Sequence, residues 1–196
     1  MPTKRIIDVI GSIVLLLLAA PMMCVIALVI VFNSPGGVIY RQVRVGLNGH
    51  PFEMFKFRTM RVGAHAERDS LAALNESDGH LFKVREDPRI TPEGKWLRRL
   101  SLDELPQLVN VLRGDMSLVG PRPLILADSG YTGDARTRLS VVPGLTGLWQ
   151  VSGRSKLAWE EMVRLDLHYV KHQSIALDFA ILVRTIAAVL SSKGAY

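Results

Sequence analysis

A chain of 196 residues is long enough for one domain with a core of its own and too short for two full ones. Its 24 Lys and Arg against 18 Asp and Glu leave a net charge of +6, which suits an anionic partner (nucleic acid, a lipid headgroup or a phosphorylated small molecule) without choosing among them. One cysteine, Cys24, and five scattered histidines, with no paired-Cys or HExxH spacing, argue against a disulfide framework and a zinc site.

Hydrophobic residues make up 48% of the chain and are concentrated at its two ends. From Ile6 to Phe32 the sequence is almost wholly apolar, interrupted by Asp8, Gly11, Ser12 and Pro21. As a helix this run measures about 40 Å, more than the roughly 30 Å hydrocarbon core of a bilayer requires, and it is about twice the length of a signal-peptide core. It reads as a membrane element. The positive-inside rule does not orient it, because Lys4 and Arg5 precede it and Arg41 and Arg44 follow it. Pro21, near its middle, removes a backbone donor and kinks the helix. Two readings follow: a kinked, re-entrant helix that enters and leaves on the cytoplasmic face, which the flanking charges favour, and a spanning helix that tolerates its proline. Residues 1–35 are assigned to this membrane segment and 36–196 to a small cytosolic domain.

"NSPGG" (33–37) ends the segment as a turn. The alternation in "VIYRQVRVG" and "PFEMFKFRTM", separated by "LNGH", predicts a β-hairpin near residues 38–60. Residues 61–95 are polar and read as a helix followed by a loop. A short helix is expected from Pro106 to Arg113, stopped by Gly114. "VVPGLTGLWQVSGRS" reads as loop, and "LAWEEMVRLDLHYVKHQ" as a helix on which Glu161, Arg164 and Asp166 do not all share a face. The apolar tail from Ser174 to Ser191 carries a narrow polar stripe of Asp178, Arg184 and Thr185. That helix either packs on the core or lies in the bilayer interface. The fold class is therefore α+β and helix-rich, with a membrane helix, a short β-hairpin and amphipathic interfacial helices.

Chemistry concentrates in "RRLSLDELPQLVNVLRGDMSLVGPRP" (98–123). Ser101 to Glu104 fits a capping box, S-x-x-E, in which both side chains only satisfy backbone groups. Pro106 weakens that reading, because it would fall at the fifth helical position, where its ring clashes. A helix beginning near Pro106 instead leaves Asp103 and Glu104 in the turn before it. An Asp can attack phosphorus and a neighbouring Glu can hold Mg²⁺, while cations bind the developing phosphate charge. Lys56, Arg58, Arg98, Arg99, Arg122 and Arg154 supply such cations; Arg122, held between two prolines, is the least like a freely solvated charge. No P-loop and no GxGxxG after a strand is present.

The segments "KFRTM", "LRRLSLDELPQLVNVLRGDMSLVGPRP", "PGLTGLWQVSGR", "RLDLHYV" and the terminal "GAY" resemble, in colinear order, the bacterial sugar transferases, the monotopic polyprenyl-phosphate phosphoglycosyl transferases. The resemblance implies transfer of a sugar 1-phosphate from a UDP-sugar to undecaprenyl phosphate at the cytoplasmic face of the bacterial inner membrane, with release of UMP. It implies that Asp103 forms a covalent phosphosugar intermediate and that Glu104 ligates Mg²⁺. It further implies substrate-phosphate roles for Lys56, Arg98, Arg122, Arg154 and Asp166, a lipid-bilayer partner, and no nucleic acid. Ala20 stands where small members carry Ser before the kink proline, and the "LFKVREDPRIT" loop and "GAY" ending look like the catalytic part of larger, multi-domain members. Competing readings are a membrane-bound nucleotide-sugar pyrophosphatase, with water as acceptor, and a nonenzymatic membrane scaffold. The sugar, the glycan pathway and the oligomeric state, a homo-oligomer included, stay open.

Overall fold

The computed structural model describes residues 2–76, 82, 84, 86–125, 132–153 and 157–191. Helix α1 (Pro2–Asn33) runs without a break through Pro21. The hairpin forms as the alternation predicts: β1 (Ile39–Val45) pairs antiparallel with β2 (Pro51–Phe57), Val43 opposite Glu53. Its connection is a 3₁₀ turn, Leu47–Gly49, in which Asn48 takes φ 55°.

The predicted helix in 61–95 is absent among the described residues; turns over 62–68 and a 3₁₀ segment, Asp69–Leu74, take its place. In the second half of that stretch a different helix forms, α2 (Pro92–Arg99). Its start follows capping chemistry: the Thr91 hydroxyl accepts from Gly94 N, and Pro92 occupies the first helical position. Gly94 is required there, because a Cβ would lie 2.2 Å from the carbonyl oxygen of Thr59.

Helix α3 (Gln107–Arg113) follows Pro106 and ends at Gly114, φ 94°, as expected. Asn110, wholly buried on α3, accepts from Phe55 N and donates to Glu53 O, tying the helix to β2. The stretch read as loop contains regular structure: β4 (Gly144–Thr146) pairs parallel with β3 (Ser117–Val119), and α4 (Leu148–Ser152) follows. This two-strand pair depends on glycine, since a Cβ on Gly144 would fall 2.0 Å from Gly120 N. Helices α5 (Trp159–His172) and α6 (Ile175–Ser191) complete the chain.

Two apolar clusters organise these elements. One gathers Met54, Leu108, Val111, Met116, Leu118, Tyr169 and Ile181 under α3, α5 and α6; the other gathers Ile26, Ile30, Phe57 and Leu97. Helix α1 contributes to both, Leu16 to the first and Ile26 and Ile30 to the second. Burial of each isoleucine contributes roughly 2 kcal/mol to that docking. Near its start, the contacts are polar. Lys4 Nζ meets Asp178 Oδ2 at 2.6 Å and donates to Val119 O, Asp8 accepts from Leu118 N, and Arg5 donates to the last carbonyls of α3, Val111 O and Leu112 O. Tyr169 joins the cluster, sharing its single hydroxyl proton between Asp178 Oδ1 at 2.6 Å and Val119 O at 3.0 Å. Between these two docked regions α1 leaves Ile13, Val14, Leu15, Leu17 and Leu18 exposed.

Helix α6 inverts the usual amphipathic arrangement. Asp178 and Ile181 are buried and Thr185 bonds Thr146, so this face packs on the protein. Ile175, Phe179, Val183, Ile186 and Leu190, three or four residues apart, form an exposed apolar face on the other side.

Candidate active site

The left-handed turn at Ser101, φ 57°, reverses the chain after α2 and carries Leu102–Glu104 into a 3₁₀ turn. The Ser101 side chain makes no capping bond there, so the capping-box reading fails. Glu104 instead turns to cations: Lys56 Nζ donates to its Oε1 at 2.9 Å, and Arg122 donates to both its oxygens, to Oε2 at 3.2 Å. Lys56 sits next to the end of β2, and Arg122 lies in the loop beyond β3, so the site joins the hairpin, the α2–α3 turn and the β3 loop.

Asp103 is treated differently. Only 6% exposed, it has Lys56 Nζ at 3.7 Å as its nearest ion-pair partner, and among the described residues its carboxylate accepts no hydrogen bond. Arg98 adds a favourable field while its Nε is held by Thr59 Oγ1 at 2.9 Å. The two carboxylates are consequently driven apart. Burial raises the pKa of Asp103, and the negative charge of Glu104 adds to the rise against Lys56, Arg98 and Arg122. Burial also acts to raise Glu104, but Arg122 and Lys56 outweigh it by charge and hydrogen bonding and hold it well below the usual carboxylate range. Lys56 is itself lowered by burial, against the pull of both carboxylates.

Of the residues singled out in the sequence, Asp103, Glu104, Lys56, Arg98 and Arg122 come together. Asp166 does not join them directly: it is wholly buried on α5 and pairs with Arg138. Arg154 lies outside the described residues. Arg58 turns away to the carbonyls of Ser34 and Pro35 at the end of α1. Glu161 and Arg164 form an exposed pair on α5, apart from Asp166. Thr59 and Arg138 carry roles that sequence reasoning did not assign; Thr59 stands inside "KFRTM" as a neutral hydroxyl beside Arg58, and Arg138 lies in a polar 3₁₀ segment, Gly133–Ser140, without periodicity.

An α+β unit with one long apolar helix and a carboxylate pair beside buried cations has the parts of a phosphate-handling site. The chain belongs to the bacterial sugar transferase family, which it matches over residues 1–192. It is 45% identical over 199 residues to the UDP-galactose-lipid carrier transferase of Erwinia amylovora, covering 98% of this chain and 41% of that protein. Against the undecaprenyl-phosphate galactose phosphotransferase of Salmonella typhimurium the identity is 42% over 201 residues, covering 98% and 41%. The exopolysaccharide production protein ExoY of Rhizobium meliloti is 41% identical over 202 residues, covering 98% of this chain and 88% of that one. The chain thus spans less than half the length of the two galactose-related relatives.

Proposed function

We propose that this chain transfers a sugar 1-phosphate from a UDP-sugar to undecaprenyl phosphate in two displacements at Asp103. A carboxylate oxygen of Asp103 attacks the β-phosphorus of the UDP-sugar; the bond to the bridging oxygen breaks and UMP leaves. An oxygen of undecaprenyl phosphate then attacks the same phosphorus, releasing Asp103 and forming undecaprenyl-diphospho-sugar. The observation that carries this reading is the asymmetry of the pair: both oxygens of Glu104 accept hydrogen bonds from Lys56 or Arg122, whereas Asp103 is left without a hydrogen bond among the described residues. A carboxylate so placed, with its pKa raised by burial, is a stronger nucleophile than a solvated one. Arg122, Lys56 and Arg98 are placed to hold substrate phosphates, and the relatives named for UDP-galactose and undecaprenyl phosphate support this substrate pair.

The donor set fits Mg²⁺, which needs only one or two protein carboxylates beside substrate phosphates. Glu104 Oε1 takes two donors, but Oε2 takes one and keeps a lone pair, and Asp103 is adjacent. Glu104 would hold the ion, which supplies charge neutralisation at the phosphates.

The docking of α1 supports a re-entrant membrane segment. A helix that grips one folded unit near both its ends, by Lys4 and Asp8 and again by Ile26 and Ile30, does not place those ends on opposite sides of a bilayer. Its exposed middle and the outer face of α6 meet lipid, with the catalytic unit on the cytoplasmic face.

The test is incubation of the purified chain with UDP-sugars and Mg²⁺ without lipid acceptor. One equivalent of UMP and a covalent sugar-phosphate adduct at Asp103, found by mass spectrometry, are expected. Full turnover by Asp103→Asn overturns the reading. Continued sugar-phosphate release without undecaprenyl phosphate identifies a pyrophosphatase instead.

A further inference from the structure

The loop that carries Arg122 has an unusual anchoring problem. Pro121 and Pro123 flank the arginine, and proline has no N–H, so the backbone on either side of Arg122 cannot be fixed by amide donation. The loop is fastened through its carbonyls instead. Pro121 O accepts from Gly144 N, Arg122 O from Arg138, Pro123 O from Arg44 and Leu124 O from Val45 N. Two of these four anchors are backbone and two are arginine side chains.

The anchor at Arg122 itself is the one that reaches deepest. Arg138 is 3% exposed; its guanidinium donates to Arg122 O at 3.2 Å and to Asp166 Oδ2, and it lies 5.8 Å above the ring of Trp159. Asp166 is wholly buried, and its Oδ1 accepts no hydrogen bond among the described residues. A buried Arg–Asp pair with an unsatisfied oxygen is a poor device for stability, since apolar residues of similar volume serve as well or better. It is a good device for setting a position. Arg122 is gripped at both ends, its carbonyl by Arg138 and its guanidinium by Glu104.

Resting on the reading that Asp103 and Glu104 carry out the transfer, we infer that Arg138, anchored by Asp166, is a positioning residue that fixes the Arg122 backbone so that its guanidinium meets Glu104 and the substrate phosphates. Asp166 then serves the reaction without touching the substrate.

The decisive variant replaces the pair together, Arg138→Met with Asp166→Leu, so that no buried charge is stranded. Three quantities are read on the full chain in membrane mimetic: the unfolding temperature, UMP release from UDP-sugar with undecaprenyl phosphate, and hydrogen exchange over residues 117–125. The unfolding temperature should stay within a few degrees of the parent. Exchange in 117–125 should quicken, and kcat should fall at least about tenfold with a smaller change in KM, as misplacement of an aligned group produces. Turnover within about twofold of the parent, or unchanged exchange in that segment, overturns the inference. Should the double variant not fold, Arg138→Lys, which keeps a charge opposite Asp166 but not the forked donor, is judged by the same readouts. A parent without turnover on any UDP-sugar overturns the transfer reading instead, and the role of Arg138 is then decided by the exchange alone.

Discussion

Two small polar clusters, each built on a pair of carboxylates, hold this molecule together, and they are finished to different degrees. At the start of α1, Asp8 takes Leu118 N, Asp178 takes Lys4 and Tyr169, and Lys4 and Tyr169 both donate to Val119 O. Every group there has its partner. In the site, Glu104 accepts hydrogen bonds at both oxygens while its neighbour Asp103 has only a cation at 3.7 Å. A closed cluster holds two elements together, and a cluster with one group left open leaves an atom free to react. Both converge on the same short stretch, the clasp on Val119 and the site on Arg122.

The contrast can be broken at several points. Asp103→Asn should lower turnover at least about a thousandfold, because the nucleophile is gone, while thermal melting holds or rises, because burial already disfavours the charged carboxylate. Asp178→Ala should do the reverse: about 3 kcal/mol of stability lost by denaturant unfolding, from a stranded Lys4 and Tyr169, with turnover per folded molecule changed less than about tenfold. Abolished turnover in a folded Asp178→Ala protein would show the clasp to be part of the chemistry.

Glu104→Gln sharpens the comparison by pH. The folded pKa of Glu104 lies below its ordinary 4.5, so its stabilisation is fully present above that value and is lost as pH falls toward the folded one. The stability gap between parent and variant, about 3 kcal/mol at pH 7, should narrow at pH 3. The smallest effect is expected in the pH profile of Lys56→Met, beside the turnover lost with a phosphate-binding cation. Lys56 opposes the rise of the Asp103 pKa, so its removal should move the acid limb of kcat/KM to higher pH.

Several of these features were legible in the sequence, each for a local reason. Alternation in 38–60 gave the hairpin, Pro106 and Gly114 bracketed α3, and the same proline separated Asp103 and Glu104 from the helix. The signals for α2, Thr91 and Pro92, lie in a polar stretch with no apolar periodicity to mark a helix. Strands β3 and β4 are three residues each and rest on a glycine contact between distant segments, which no window of sequence contains. Lys4 and Asp8 illustrate the same limit. Along the chain Lys4 reads as an orienting charge and Asp8 as an interruption of an apolar run, whereas their partners lie at 118, 119 and 178. Asp166 was singled out, but the arginine through which it acts comes from a segment with no pattern.

The bond between Lys4 and Asp178 joins residues 174 positions apart. During synthesis Asp8 and Arg5 can meet their partners at 118, 111 and 112 well before Asp178 is made, and only the Lys4–Asp178 contact must wait for it. The four anchors of the loop bearing Arg122, from residues 44, 45, 138 and 144, are also made earlier. The last bond of the clasp is therefore a late event, able to close over a loop whose fastenings are already present.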